Sequence, residues 1–274
     1  MRAVRAAHPI ATCLLLALLG CATVEKPDPL EPMNRGIFAF NETLDRYALE
    51  PVAKAWDWVL PGFVQDSIQN FFVNLNMPVV FANDVLQAKP MAAIEDLARF
   101  LHNTTFGLAG LIDVATMVGI PQNDEDFGQT MGYWGMPPGP YLVVPILGPY
   151  TLRDGVGDII DTTATSYAYA VPFWYEVVDL NGAETIGASI GVKALELLNL
   201  RAIYLEELEE SRKDAFDYYV FVRNAFLQNR RAKVKDQTDS PVIDEDDLYF
   251  FDDDDDDDED LDFEDYEEED YDDL

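Results

Sequence analysis

Apolar residues recur along most of this chain at intervals of three and four, the spacing of one face of an α-helix, and strand-like alternation is nearly absent. From Asn34, which can cap a helix, Ile37, Phe40, Leu44 and Tyr47 follow in phase. Pro51 and Pro61 bracket a short aromatic helix carrying Trp56 and Trp58. Phe63 to Leu75 sets Val64, Ile68, Phe71, Phe72 and Leu75 on one side; Pro78 opens the next predicted helix, which ends near Gln87. Met91 to His102 is another, with Ile94, Leu97, Ala98 and Leu101 in register. Between Thr105 and Gly157 the texture becomes rich in Gly and Pro, with ten of the 16 glycines falling from Gly107 to Gly157, so turns and close backbone approaches are expected there. YLVV, residues 141–144, reads as a short strand or an apolar loop tip, the loop being preferred because Pro140 and Pro145 pinch it on both sides. Helical phase resumes from Asp154 to about Tyr169 and from Glu184 to Leu198. The longest helix is predicted from Arg201 or Ser211 through Arg231, carrying Phe216, Tyr219, Val220, Arg223 and Phe226. No internal repeat is present.

The pattern therefore predicts a mostly α domain. After the first 20 residues no apolar run reaches the roughly 18 to 20 residues of a membrane-spanning helix. Several segments are nevertheless apolar over more than half their circumference, which leaves two readings open: helices burying these faces against one another, or faces that lie in lipid.

The amino terminus has a different organisation. Arg2 and Arg5 precede an apolar run from Ile10 to Leu19 that closes on Gly20-Cys21, the layout of a bacterial lipoprotein signal. Its apolar run is about half of what a spanning helix needs. The expectation is cleavage before Cys21 and acylation of its thiol, since two or more acyl chains make stable membrane attachment. Ala22 in place of an aspartate after the cysteine favours the outer membrane. Cys13 leaves with the signal, so the mature chain holds one cysteine and no internal disulfide. The chain divides into a signal peptide (1–20), a proline-rich tether (21–33), a helical domain (34–235) and a C-terminal tail (236–274).

Charge separates the last of these. Asp244 to Leu274 holds 22 of the 52 acidic residues and no Lys or Arg, which leaves the rest of the chain 30 acids against 18 bases, a net −12. Self-repulsion predicts a disordered, extended acidic tail, either simply solvated or serving to steer a basic periplasmic partner into place. The balance excludes nucleic-acid binding, which needs a basic face. Catalytic chemistry is also poorly provided for. Only His102 remains after the signal, and no Gly-x-Ser-x-Gly elbow is present. Asp154, Asp158 and Asp161 share a helical face and have the chemistry to hold Ca²⁺ or Mg²⁺. The favoured reading is a helix N-terminus with Arg153 at hand to pair, so no metal and no cofactor is expected.

Eight motifs in order carry a resemblance: DPLEPMNR (28–35), FNETLDRY (40–47), NFFVNLNMP (70–78), ND.LQ.K (83–89), RFLHNTTFGLAGLIDVA (99–115), FGQTMGYWG (127–135), GPYLVVP (139–145) and LGPYTLRDGVGD (147–158). Together they resemble the MlaA (VacJ) lipoprotein family. The resemblance implies a ring-like single domain of amphipathic helices embedded in the inner leaflet of the outer membrane, on its periplasmic side, beside a porin trimer. Phospholipid mislocalised to the outer leaflet would pass through an amphipathic channel to a soluble periplasmic carrier and on to an inner-membrane ABC transporter, with no bond made or broken. It also implies a hydrophobic hairpin at the channel mouth, here Gly139, Pro140, Tyr141, Leu142 and Val143, and a first helix, with Phe40 and Asn41, that sets whether the channel is shut. The alternatives are a structural lipoprotein bracing porins or the envelope and, less favoured, a membrane-surface lipid hydrolase. The acidic tail departs from the family pattern.

Overall fold

The computed structural model describes residues 28–166 and 182–236, so the signal, Cys21, the tether as far as residue 27 and the acidic tail from residue 237 lie outside the described residues. The first helix, α1 (Glu31–Leu44), begins before Asn34, with Pro32 in its first turn, where a missing N–H costs nothing. Asp28 accepts the Leu30 N–H just ahead of it. Asn34 is therefore not a cap but a fully buried residue inside the helix. A single π-helical turn (Asp45–Leu49) leads into α2 (Glu50–Val59), which stops where Leu60 turns extended ahead of Pro61.

The 25-residue α3 (Gly62–Leu86) runs straight through Pro78, where a new helix was expected. An internal proline costs about 3 kcal/mol. Packing of α3 along α4 (Pro90–Thr105) and α8 (Gly182–Ile203) outweighs it. After α4 come two short helices, α5 (Val114–Met117), capped by Asp113, and α6 (Phe127–Tyr133), capped by Asp126.

YLVV is a strand rather than a loop. β1 (Tyr141–Val144) pairs antiparallel with β2 (Gly148–Thr151), with Tyr141 opposite Thr151 and Val143 opposite Pro149. The prolines are compatible because Pro140 and Pro145 flank the strand. Pro149, with no N–H to give, stands opposite a residue whose own N–H points away from β2. α7 (Leu152–Thr165) follows directly, capped by Thr151. The helix expected from Glu184 is α8, which runs on to Ile203, and the long helix expected from Arg201 or Ser211 to Arg231 is instead two beyond a break at Tyr204: α9 (Leu205–Asp214) and α10 (Tyr218–Val234), the latter capped by Asp217.

The distribution of polarity is the reverse of a water-soluble bundle. Buried polar and charged residues outnumber buried apolar ones, 17 to 12, among the described residues. On α4 the residues turned inward are Ala93, Asp96, Arg99 and Asn103, while Met91, Ile94, Leu97 and Leu101 form an exposed stripe. On α4 the in-phase apolar positions thus face outward and are not core, whereas on α3 Phe72 and on α10 Tyr219 turn inward. No described helix is long and apolar enough to cross a membrane.

Polar side chains tie the helices together from within. Asn199 of α8 accepts from Trp56 Nε1 at 3.2 Å and donates to the Gln65 carbonyl at 3.0 Å, joining α2, α3 and α8. Buried Arg99 donates to Thr116, the Ile120 carbonyl, Asp113 and Gln122, and fixes the path between α4 and α6. Of the ND.LQ.K motif, Asn83 accepts from Thr130 and Gln87 donates to Glu125 and Thr130, binding α3 to α6. Helices α6 and α7 cross at two glycines: a Cβ on Gly157 would lie 2.3 Å from the Gly128 backbone nitrogen.

This crossing predicts that Gly157→Ala destabilises the domain by about 1 to 3 kcal/mol, as overpacking does. Gly36→Ala, in α1 with nothing within 4 Å of the new methyl, should instead stabilise by about 0.5 to 1 kcal/mol. Thermal melts of the two variants in detergent check the difference in sign.

Candidate functional site: a hairpin clamped to the first helix

An isolated two-stranded hairpin is marginal in water, and this one is held by side chains of α1. Asn34 and Asn41, two helical turns apart, both point at β1. Asn34 Nδ2 donates to the Tyr141 carbonyl at 3.0 Å and its Oδ1 accepts from the Val143 N–H at 3.0 Å. Asn41 repeats the pattern one step on, donating to the Val144 carbonyl at 3.0 Å and accepting from the Ile146 N–H at 2.8 Å. Two amide side chains thus bond to β1 and to the turn that follows it, each taking a carbonyl and the N–H two residues on.

Behind the clamp lies the apolar core of this end of the molecule. Tyr141 and Val143 are buried against Tyr219, with Ile37, Phe38, Phe226 and Leu227 packed around them. The Tyr219 hydroxyl donates to Asp28, and the same carboxylate accepts from Asn34 Nδ2 at 2.9 Å. Burial, then the hydrogen bond and charge of Asp28, raise the Tyr219 hydroxyl well above its ordinary range, so it stays a donor. Arg35 lies over the Tyr219 ring at 4.5 Å and donates to Asp217 at 2.8 Å. The end of the tether, α1, the hairpin and α10 therefore meet at one place.

The structure brings the expected gate residues together but sorts them. Tyr141, Val143 and Pro140 are buried, Leu142 is half-buried, and Gly139 takes φ +72° with Leu152 against it. Phe40 is 54% exposed on α1 beside the clamp residue Asn41. The exposed apolar tip is not YLVV but the connection after it, where Ile146 and Leu147 are 62% and 53% exposed. Ile146 adopts φ +71°, a left-handed conformation that a β-branched residue takes only at a cost. Sequence reasoning missed Ile146, Leu147 and the role of Asn34. The signal for the first two was the Leu-Gly-Pro step that closes the turn.

Two ion-pair networks brace this assembly. Arg201 and Arg212 converge on Asp45 at 2.8 and 2.6 Å, and Arg212 also reaches Glu42 and Glu50, holding the π-helical turn to α8 and α9. On the other side Arg230 of α10 grips Asp154 at 2.8 Å and Asp126. Burial works against an ionised Asp126, but the Arg230 hydrogen bonds prevail and hold its carboxyl below the usual range. The three aspartates considered for a cation are engaged separately: Asp154 with Arg153 and Arg230, Asp158 with the Tyr150 hydroxyl, and Asp161 with the Phe127 N–H and Asn83. No group of three or more potential ligands converges among the described residues. His102 has its Nδ1 2.7 Å from the Ala98 carbonyl, a contact within its own helix.

Comparison with known proteins agrees with this architecture. A family model described as MlaA lipoprotein matches residues 26–233. The chain is 36% identical over 239 residues to the intermembrane phospholipid transport system lipoprotein MlaA of Haemophilus influenzae, covering 83% of this chain and 90% of that protein. It is 36% identical to the protein of the same name from Escherichia coli, over 77% of this chain and 82% of that one. An uncharacterised protein of Rickettsia felis is 35% identical over 79% of this chain and 80% of its own length. A chain solved in work on the structural basis for maintenance of bacterial outer membrane lipid asymmetry superposes with a TM-score of 0.65 at 34% identity, covering 76% of this chain and 98% of that one.

The clamp generates a graded prediction. Asn34→Ala strands the buried Val143 N–H, Tyr141 carbonyl and one Asp28 oxygen contact, and should cost at least about 2 kcal/mol. Asn41→Ala, nearer the surface, should cost about 1 kcal/mol and act locally. Hydrogen exchange should show faster exchange at Ile146 in the Asn41 variant with the helical amides unchanged.

Proposed function

The chain belongs to the MlaA lipoprotein family, and from that premise we propose that it clears phospholipid from the outer leaflet of the outer membrane and maintains lipid asymmetry there. The observation that carries this reading is the reversed polarity: an exterior of exposed apolar stripes around an interior of buried Asn, Gln, Asp and Arg. Such an exterior is stable against hydrocarbon and costly against water. A polar interior is what a lipid headgroup needs for passage, since an uncompensated charge in hydrocarbon costs several kcal/mol while the acyl chains can remain outside. The domain would lie in the inner leaflet, anchored through acylated Cys21, and deliver lipid to a soluble periplasmic carrier. A porin trimer is the proposed neighbour, by the family resemblance.

Within this reading the hairpin is the gate. Its tip pairs exposed apolar residues with a strained backbone, and Asn41 receives the strained residue's N–H. Phe40, beside Asn41 on α1, is available to lipid at the same place. Tyr141, Leu142 and Val143 form the stem, with Gly139 and Pro140 setting its angle to α7. This is transport, and it requires no nucleophile and no cofactor.

The test is outer-leaflet phospholipid in cells lacking the protein and complemented with variants. Deletion should raise it, wild type should restore it, and Cys21→Ala should not. Ile146→Asn separates fold from function, because Asn tolerates the left-handed conformation and should stabilise the tip by about 1 kcal/mol, yet it removes the apolar side chain and should impair clearance. No rise on deletion would overturn the transport reading in favour of a structural lipoprotein. Full clearance by a stable Ile146→Asn variant would overturn the gate assignment.

A further inference from the structure

Two carboxyl groups meet where α3 ends and α4 begins, away from the hairpin. Asp84 and Asp96 are both fully buried. No amide, hydroxyl, ammonium or guanidinium donor reaches either oxygen of Asp84 or the second oxygen of Asp96. The first oxygen of Asp96 accepts from Asn123 Nδ2 at 3.1 Å.

The surrounding charges do not neutralise the pair. Arg99, nearly one turn beyond Asp96 on α4, directs its terminal nitrogens to Asp113, Thr116, Gln122 and the Ile120 carbonyl. Lys89, in the turn between the helices, pairs with Glu125 and Asp236. Asn83, next to Asp84, is taken by Asp161 of α7 and Thr130 of α6. Glu125, ahead of α6, adds a further negative charge. Two ionised carboxylates side by side in a buried site repel strongly. Asp96 is close enough for its charge to act on Asp84, and with no other donor to either Asp84 oxygen a hydrogen bond between the two acids is open only when one of them carries a proton, since a carboxyl oxygen donates only in that state.

We propose that Asp84 and Asp96 form a proton-binding site, a carboxylic acid paired with a carboxylate, that clamps the end of α3 to α4 and couples their packing to pH. Burial, then the hydrogen bond and charge of Asp96, push Asp84 up to about 8, against the pull of Lys89. In an unfolded chain an aspartate loses its proton near about 3.9. Between these values the folded protein therefore holds one more proton than the unfolded chain. The stabilisation is fully present below about pH 4, is lost as pH rises, and is gone above about pH 8. Because α4 bears the outward apolar stripe, alkaline conditions loosen an element of the exposed apolar surface.

The experiment is thermal melting of the full-length lipidated protein in detergent micelles from about pH 5 to about pH 9, beside Asp84→Asn and Asp96→Asn. Asn supplies a permanent donor to the remaining carboxylate. Each sample is measured with EDTA and with millimolar CaCl₂ or MgCl₂. The expected result is that wild type loses melting temperature relative to Asp84→Asn as pH rises, with the gap widest above about pH 8 and unmoved by chelator or cation. A gap that is constant in pH overturns the proposal. So does a gap closed by calcium or magnesium, which would make the pair a cation site. Should both variants fail to fold, carboxyl-carbon NMR of wild type decides: an aspartate titrating near about pH 8 supports the pair, and none titrating above about pH 5 overturns it.

Discussion

Everything in this fold depends on satisfying polar groups internally while the exterior stays apolar. A water-soluble bundle can leave a misplaced amide to the solvent, but here the inward faces of α3 and α4 carry Gln65, Asn74, Asn83, Asp84, Asp96, Arg99 and Asn103. Each needs a partner from another element, because a buried unpaired polar group costs more than a hydrogen bond returns. That requirement explains why the connections are irregular and rich in glycine. Gly107 and Gly110 let the chain after α4 approach Asn103 and Asn74 closely enough for carbonyls and amides to meet.

The same requirement explains the arginines. Arg99, Arg201, Arg212 and Arg230 each lie largely buried and each face at least one carboxylate. A guanidinium offers five donors in a fixed fork, so one side chain can hold several elements at once. Arg212 does so at the π-helical turn, where Glu42 from α1, Asp45 from the turn and Glu50 from α2 all converge. An extra residue in a helix rotates the following face. Here the rotation is secured by charge instead of apolar packing, since no residue of the turn is buried.

Helix periodicity carried the fold class and most element positions, as at Met91 to His102 within α4 and Glu184 to Leu198 within α8. It failed where local signals meet long-range partners. Asn34 has every mark of a cap, yet its partners are 107 and 109 residues away in β1. Pro78 marks a boundary by its chemistry, and only the helices packed on α3 overrule it. YLVV is four residues long, too short for alternation to register, and its pairing depends on a turn built around an unfavoured isoleucine conformation. The apolar stripes were visible, but which side faced inward was not. Periodicity reports that a helix has two faces, and the choice between them belongs to the surrounding medium. The site was legible to the same degree: the resemblance pointed to the hairpin and to Asn41, while the exposed tip and the contribution of Asn34 needed the folded geometry.

The two asparagines of α1 also settle how this hairpin can meet other molecules. A short strand at the rim of a protein ordinarily offers its outer edge to any extended segment that can add alongside it. On β1 the Tyr141 carbonyl and the Val143 N–H are already taken by Asn34, and at the strand's end the Val144 carbonyl and the Ile146 N–H of the turn by Asn41. Strand addition is thereby closed off on that side. A molecule engaging this corner must do so through side chains at the tip, so contact there is made by shape and greasiness and not by backbone pairing.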